Sequence, residues 1–172
     1  MLEAVDAIYR RAFRLRPVGS VLFVGVAHRA EALPERSSGA SPSAVAHLHF
    51  NNARAAAVQA NGRLQNGVRF ARLLRDSLVE LAVRARDDDT FRHIGLYEGV
   101  TWFGSHGDAV GFESEPLADG WRARWLAMHF RVLVWAFSPT GDARAIDEVA
   151  PRHFRITREA LIASFADRKR VR

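Results

Sequence analysis

The stretch "AHLHFNN", residues 46–52, joins the pattern of a β-strand to that of a helix start. Side chains alternate between the two faces of a strand, so His47 and His49 share one face and their apolar neighbours share the other. An asparagine side chain accepts hydrogen bonds from the free N–H groups of a first helical turn, which makes Asn51 or Asn52 a suitable cap. The stretch therefore predicts a strand that leads directly into a helix.

The segments on either side extend this pattern. Residues 20–28, "SVLFVGVAH", are rich in β-branched and aromatic residues and predict a buried strand. The Ser-, Gly- and Pro-containing loop 29–43 would return the chain antiparallel to it. Apolar residues spaced by three and four predict a long helix from about residue 53 to 86, with a kink or break near the Asn-Gly pairs at 61–62 and 66–67.

The second half of the chain predicts a β-hairpin over Ile94–Glu113, a buried helix over residues 121–137, a short strand at "HFRI", residues 153–156, and a last helix capped by Thr157. A chain of 172 residues suits one domain. We therefore expect a single α+β domain, residues 1–172. Its mainly antiparallel sheet would pack against the long helix and against a hydrophobic helix in the C-terminal half.

The basic composition says little about partners. The formal net charge is +6, yet Lys169 is the only lysine and the arginines are spread along the chain. This pattern indicates a bias in composition more than selection for phosphate contacts, so nucleic acid is disfavoured as a partner. An anionic membrane surface stays open as an alternative, through the basic residues near the two ends: Arg10, Arg11, Arg14, Arg16, Arg168, Lys169 and Arg170.

The absence of cysteine excludes disulfides, thiolate metal ligands and a cysteine nucleophile. The first residues carry Glu3 and Asp6 without an apolar core, so no secretory signal is predicted. The apolar stretch 121–137 contains three arginines and is shorter than the roughly 20 residues of a membrane span. We expect a cytoplasmic protein, with attachment to the inner face of the membrane as an alternative.

Two imidazoles on one strand face can share a divalent metal such as zinc, so His47 and His49 are candidate ligands. A further ligand would have to come from elsewhere in the chain, with four candidates: His28, Glu98, His106 and Glu113. No second ligand pair stands at a diagnostic spacing. A polar pocket lined by the two histidines is therefore favoured over a metal site, and no cofactor is predicted.

Catalytic motifs are absent from the sequence, and no catalytic residue is assigned. Glu98 and Glu113 could support acid–base chemistry if the fold brings them together. Residues Trp121, Trp125, Met128 and Trp135 recur at helical spacing, which favours a core stripe over a groove for an apolar ligand or lipid.

Four segments, in order along the chain, resemble the bacterial YkoP-like domain family: "AIYRRAFRLRPVG", "HLHFNN", "GVTWFGSHGDAVGFE" and "PRHFRITREALIASF". The family is found alone and beside polysaccharide deacetylase domains, so the resemblance implies a link to cell-envelope or glycan metabolism without supplying an activity. The matching positions imply a site region, namely His47, His49, Asn51, Asn52, Gly99, Thr101, Gly111 and Phe112.

The leading expectation is an accessory domain that binds a small polar or amphipathic ligand, such as a glycan or a lipid-linked precursor. Its site would draw on seven residues: His47, His49, Asn51, Asn52, Glu98, Thr101 and Glu113. A His- or metal-dependent hydrolase or transferase that uses the same groups is the second hypothesis. A basic protein that docks on anionic membrane or nucleic acid is the third. Whether the chain is an enzyme is left open.

Overall fold

The computed structural model describes residues 7, 10, 11, 14–28, 44–51, 54, 63–101, 111–121, 123–128, 131 and 151–166. These residues contain one six-stranded sheet of order β1-β2-β3-β4-β6-β5. The strands are β1 (Arg16–Val18), β2 (Leu22–His28), β3 (Ala44–Phe50), β4 (Ile94–Thr101), β5 (Glu113–Pro116) and β6 (Arg152–Thr157). Two helices have both ends within the described residues, α1 (Arg63–Asp87) and α2 (Arg158–Leu161), and a π-helical segment, Ile162–Ala166, follows α2.

All neighbouring strands pair antiparallel except β3 and β4, which run parallel. Parallel neighbours need a crossover connection, and α1 lies in the chain between these two strands. The expected α+β class with a mainly antiparallel sheet is confirmed.

The core forms where α1, α2 and the π-helical segment pack on one face of the sheet. Ala44 and Ala46 of β3 are buried on this face, together with Tyr97 of β4 and Ile156 of β6. The helical side contributes Leu78, Leu81, Ala82, Ala85, Leu161, Phe165 and Ala166. Because strand side chains alternate, the residues between the buried ones on β3, β4 and β6 face away from this core.

The strand-to-helix transition follows the predicted pattern. The Asn51 side-chain oxygen Oδ1 accepts a hydrogen bond from the backbone N–H of the helical residue Arg54 at 2.9 Å, which confirms the cap at Asn51. Asn52 lies outside the described residues. Helix α1 continues through residues 66–67, so the helix has no break at that pair, and the pair at 61–62 lies outside the described residues. Glycine costs about 1 kcal/mol in a helix interior, which the packing of an apolar helix face on a sheet can offset.

The described residues of the segment Ile94–Glu113 do not form the predicted hairpin. Strands β4 and β5 do not pair with each other, because β6 lies between them and pairs antiparallel with both. Residues 102–110, which contain the predicted turn, lie outside the described part of the chain. Sequence proximity favoured a hairpin, whereas the sheet places the distant segment 152–157 beside β4.

The region of the predicted C-terminal-half helix is helical at residues 121, 123–128 and 131. The predicted core role is wrong for three of its large apolar side chains, since Trp121, Trp125 and Met128 are 78%, 48% and 58% exposed. Trp135 lies outside the described residues. Among the residues that the structure describes, no helix has the length and apolar character needed to cross a membrane.

Thr157 caps α2 as predicted, because its Oγ1 accepts a hydrogen bond from the backbone N–H of Ala160 at 3.2 Å.

A second polar contact connects α1 to the turn between β1 and β2. Ser77 is fully buried, and its hydroxyl accepts from the N–H groups of Ser20 and Val21 at 3.2 and 3.4 Å and donates to the Leu73 carbonyl at 2.8 Å.

We predict that Ser77→Ala lowers the free energy of unfolding by about 1–3 kcal/mol, because it leaves buried N–H groups without their acceptor. Urea denaturation of the variant and the wild type measures this difference. Arg75→Ala, at an exposed position of the same helix, is the control and should change stability by less than about 0.5 kcal/mol. Equal stability of Ser77→Ala and wild type would contradict the assigned role of the hydroxyl.

Candidate functional site

The face of the sheet opposite the core carries a row of ionisable side chains, which we call the polar sheet face. It is built by strand register, since His47 lies opposite Glu98, Glu98 opposite Arg155, and Arg155 opposite Glu113. The polar sheet face consists of His47 and His49 from β3, Glu98 from β4, His153 and Arg155 from β6, and Glu113 and Glu115 from β5.

Glu98 is the most buried of these groups, with 6% of its surface exposed. Its Oε1 lies 3.2 Å from Nδ1 of His47, and its Oε2 lies 3.2 Å from Nε2 of His153. Burial by itself raises the pKa of Glu98, but the contacts and charges of His153 and His47 outweigh burial and lower that pKa to about 2. The carboxylate is therefore ionised at neutral pH between two imidazoles.

His153 lies between two carboxylates. Its Nε2 faces Glu98 as an ion-pair contact without a well-aligned hydrogen bond, and its Nδ1 lies 3.6 Å from Oε1 of Glu115. Glu98 raises the pKa of His153 most strongly, burial opposes this, and Glu115 raises it further. The position favours the protonated imidazolium, which supplies the counter-charge for the buried Glu98.

His47 and His49 are brought together as the alternation predicted, but their surroundings differ. His47 turns Nδ1 towards Glu98, which places Nε2 on the opposite side of the ring, and about a third of its side chain (32%) is exposed. Burial and the neighbouring charge of His47 lower the pKa of His49 to about 4, so His49 is neutral at pH 7. The two rings thus offer different hydrogen-bonding chemistry on one face.

Charges on the polar sheet face are balanced within it. Nε of Arg155 lies 2.8 Å from Oε2 of Glu113, and its Nη1 lies 3.7 Å from Oε1 of Glu115. Arg155 and His153 therefore both lie beside carboxylates. This arrangement presents many hydrogen-bonding groups without a large net charge.

Of three further predicted site residues, Thr101 and Asn51 are not part of the polar sheet face, whereas Glu113 is. Thr101 is buried at the end of β4, and alternation along the strand puts it on the core face with Tyr97, away from His47. Asn51 ends β3 and uses its side-chain oxygen as the helix cap. Glu113 is on the polar sheet face, but on β5, where it pairs with Arg155 and not with Glu98.

A metal site finds no direct support in this geometry. Within the described ranges, no three His, Asp or Glu side chains are arranged to hold a metal ion. Nδ1 of His47 already faces Oε1 of Glu98, and Nε2 of His153 faces Oε2 of the same carboxylate. Zinc bound by His47 and His49 stays a prediction.

Sequence reasoning missed His153, Glu115 and Arg155 as site residues. The segment "HFRI" predicted a strand, and alternation along that strand puts His153 and Arg155 on the same face. What the sequence did not reveal was the neighbour of that strand. Only the insertion of β6 beside β4 brings His153 to Glu98.

The fold and the site define a class: an α+β domain whose sheet carries helices on one face and a His–Glu–His cluster on the other. The model of the YkoP domain family matches residues 39–165, and the chain belongs to that family. The match includes β3 to β6, α1, α2 and every residue of the polar sheet face. Searches of curated proteins and of solved structures returned no match.

We predict that His49 makes folding less favourable in mild acid. Its ordinary pKa is 6.5 and its folded pKa is about 4, so between these values the unfolded chain binds a proton that the folded chain does not. The free energy of unfolding should therefore fall as pH is lowered from 6.5 to 5. Urea midpoints at the two pH values measure the fall, and His49→Gln should reduce it.

Glu98 and His153 change the free energy of unfolding in other pH ranges. Glu98 stabilises the fold above its ordinary pKa of 4.5, and this contribution is lost as pH falls towards 2. The contribution of His153 is fully present below 6.5 and is lost as pH rises through its raised pKa. The control is Val68→Ala, which changes an exposed, non-ionisable side chain of α1 and should keep the wild-type fall. An unchanged fall in His49→Gln would contradict the assignment.

Proposed function

We propose that this YkoP domain is a binding domain and that its polar sheet face binds a neutral, hydroxyl-rich ligand. The observation that carries the proposal is the contact of buried Glu98 with both His47 and His153. Buried ionic groups are costly to maintain, and their clustering on one face is typical of functional sites.

The charge balance supports a neutral ligand over an anion. A phosphate or carboxylate ligand would need a cation that protein carboxylates do not already neutralise. On the described face, His153 stands against Glu98 and Glu115, and Arg155 against Glu113. Hydroxyl groups both donate and accept hydrogen bonds, so they match a face that mixes carboxylates with imidazoles and a guanidinium.

The narrower ligand class, a glycan or a lipid-linked glycan precursor of the cell envelope, belongs to the same proposal. It is supported by the polysaccharide deacetylase domains that accompany the family this chain resembles. The polar character of the face agrees with such a ligand. A cytoplasmic place of action is also proposed, supported by the lack of cysteine in the sequence.

Acid–base catalysis is the second candidate, favoured by the geometry of His47. An ionised Glu98 at Nδ1 holds the proton there, which leaves the lone pair of Nε2 available to accept a proton from water or a sugar hydroxyl. Glu98 would act as a positioning residue, as the carboxylate does in other His–carboxylate pairs. The reaction would be a hydrolysis or a group transfer.

We predict that the protein binds a chitin oligosaccharide such as penta-N-acetylchitopentaose, and that His47→Ala weakens this binding at least tenfold. The expected loss corresponds to one well-made hydrogen bond, about 1.4 kcal/mol. Isothermal titration calorimetry measures the affinity. The exposed His93→Ala removes a histidine outside the polar sheet face and should bind like the wild type.

Two readouts separate the outcomes. Equal binding by His47→Ala and wild type, or no binding of this oligosaccharide or of a peptidoglycan disaccharide, would contradict the proposed ligand class. Release of product during the titration, abolished in His47→Ala but not in His93→Ala, would favour catalysis over binding alone.

A further inference from the structure

A second surface of the molecule is unlike the polar sheet face, and the inference from it does not depend on the proposed function. Residues 121, 123–128 and 131 are helical, and five exposed side chains of this helix share one side: Trp121, Arg124, Trp125, Met128 and Arg131. At 100° per residue these five positions fall within an arc of about 120°. We call this side the Trp–Arg face.

The Trp–Arg face exposes more apolar surface than an ordinary solvent-facing helix. Trp121, Met128 and Trp125 are 78%, 58% and 48% exposed, and helical geometry places them next to one another. Single exposed apolar residues are common, but three large adjacent ones indicate contact with another molecule.

The charge of this helix is of one sign. Residues 121–131 contain three arginines and no aspartate or glutamate. Arg124 and Arg131 lie at one edge of the apolar patch. Their long side chains can pack along an apolar surface and still keep the guanidinium groups in polar surroundings. The chain as a whole carries a net charge of +6. A complementary partner therefore has a negatively charged surface with an apolar layer directly beneath it.

We propose that the Trp–Arg face docks on the surface of an anionic phospholipid bilayer. Trp121, Trp125 and Met128 enter the boundary between headgroups and acyl chains, where indole rings are preferred, and Arg124 and Arg131 contact lipid phosphates. The helix lies in the plane of the surface. In this arrangement the domain is attached to one surface of the membrane and does not cross it.

A bilayer fits this face better than a protein partner does. A stable protein interface buries about 800 Å² on each side with close shape complementarity. An α-helix rises 1.5 Å per residue, so positions 121 to 128 extend over only about 11 Å, and the Trp–Arg face is one convex side of a short helix. A fluid lipid surface adapts to a small convex patch and does not need a matching groove.

The test uses the full chain and sucrose-loaded vesicles of phosphatidylcholine alone or with 30% phosphatidylglycerol. Sedimentation should show binding only to the anionic vesicles, and binding should weaken at least tenfold from 50 to 500 mM salt. Trp121→Ala/Met128→Ala and Arg124→Gln/Arg131→Gln should each weaken binding at least tenfold. The control Arg72→Gln/Arg75→Gln removes two exposed charges from α1 and should weaken it less than threefold.

Circular dichroism checks that each variant keeps the wild-type fold, which is expected because the substituted side chains are exposed. Lack of binding to the anionic vesicles would overturn the proposal. Equal weakening by the Arg72/Arg75 control would overturn it as well, because net charge alone would then explain binding. A vesicle-independent dimer that Trp121→Ala/Met128→Ala disrupts would assign the face to a second copy of the chain instead.

Discussion

The contact of Glu98 with His47 and His153 is the constraint on which the polar half of this sheet depends. It joins three adjacent strands, because His47 comes from β3, Glu98 from β4 and His153 from β6. A buried carboxylate without partners would take up a proton or destabilise the fold, whereas the two imidazoles keep this one ionised. The charge of Glu98 in turn fixes the orientation of His47 and favours a proton on His153.

The backbone beside this contact requires a glycine at position 99. A Cβ atom at Gly99 would lie 2.8 Å from the carbonyl oxygen of Leu48, so only glycine allows β3 and β4 to approach as they do. Gly99 follows Glu98 directly, and Leu48 follows His47. The close approach of the two strands and the pairing of their polar side chains are thus set at the same place.

Local features were predictable from the sequence because local chemistry decides them. Alternation put His47 and His49 on one face, and the caps at Asn51 and Thr157 follow from side-chain oxygens that meet nearby N–H groups. Strand order was not predictable in this way. The sequence predicted a hairpin over Ile94–Glu113, and nothing local indicates that residues 152–157 lie beside β4 and between it and β5. His153 and Glu115 were missed for the same reason, and the exposure of Trp121 depends on tertiary packing that helical spacing cannot reveal.

The central claim is that Glu98 is ionised and sets the charge of the cluster, and NMR titration of the His153 imidazole tests it most directly. In the wild type the pKa of His153 should lie above 6.5, and in Glu98→Gln, which keeps the shape of the side chain and removes its charge, that pKa should fall towards or below 6.5. A His153 pKa at or below 6.5 in the wild type, or one that Glu98→Gln leaves unchanged, would contradict the account.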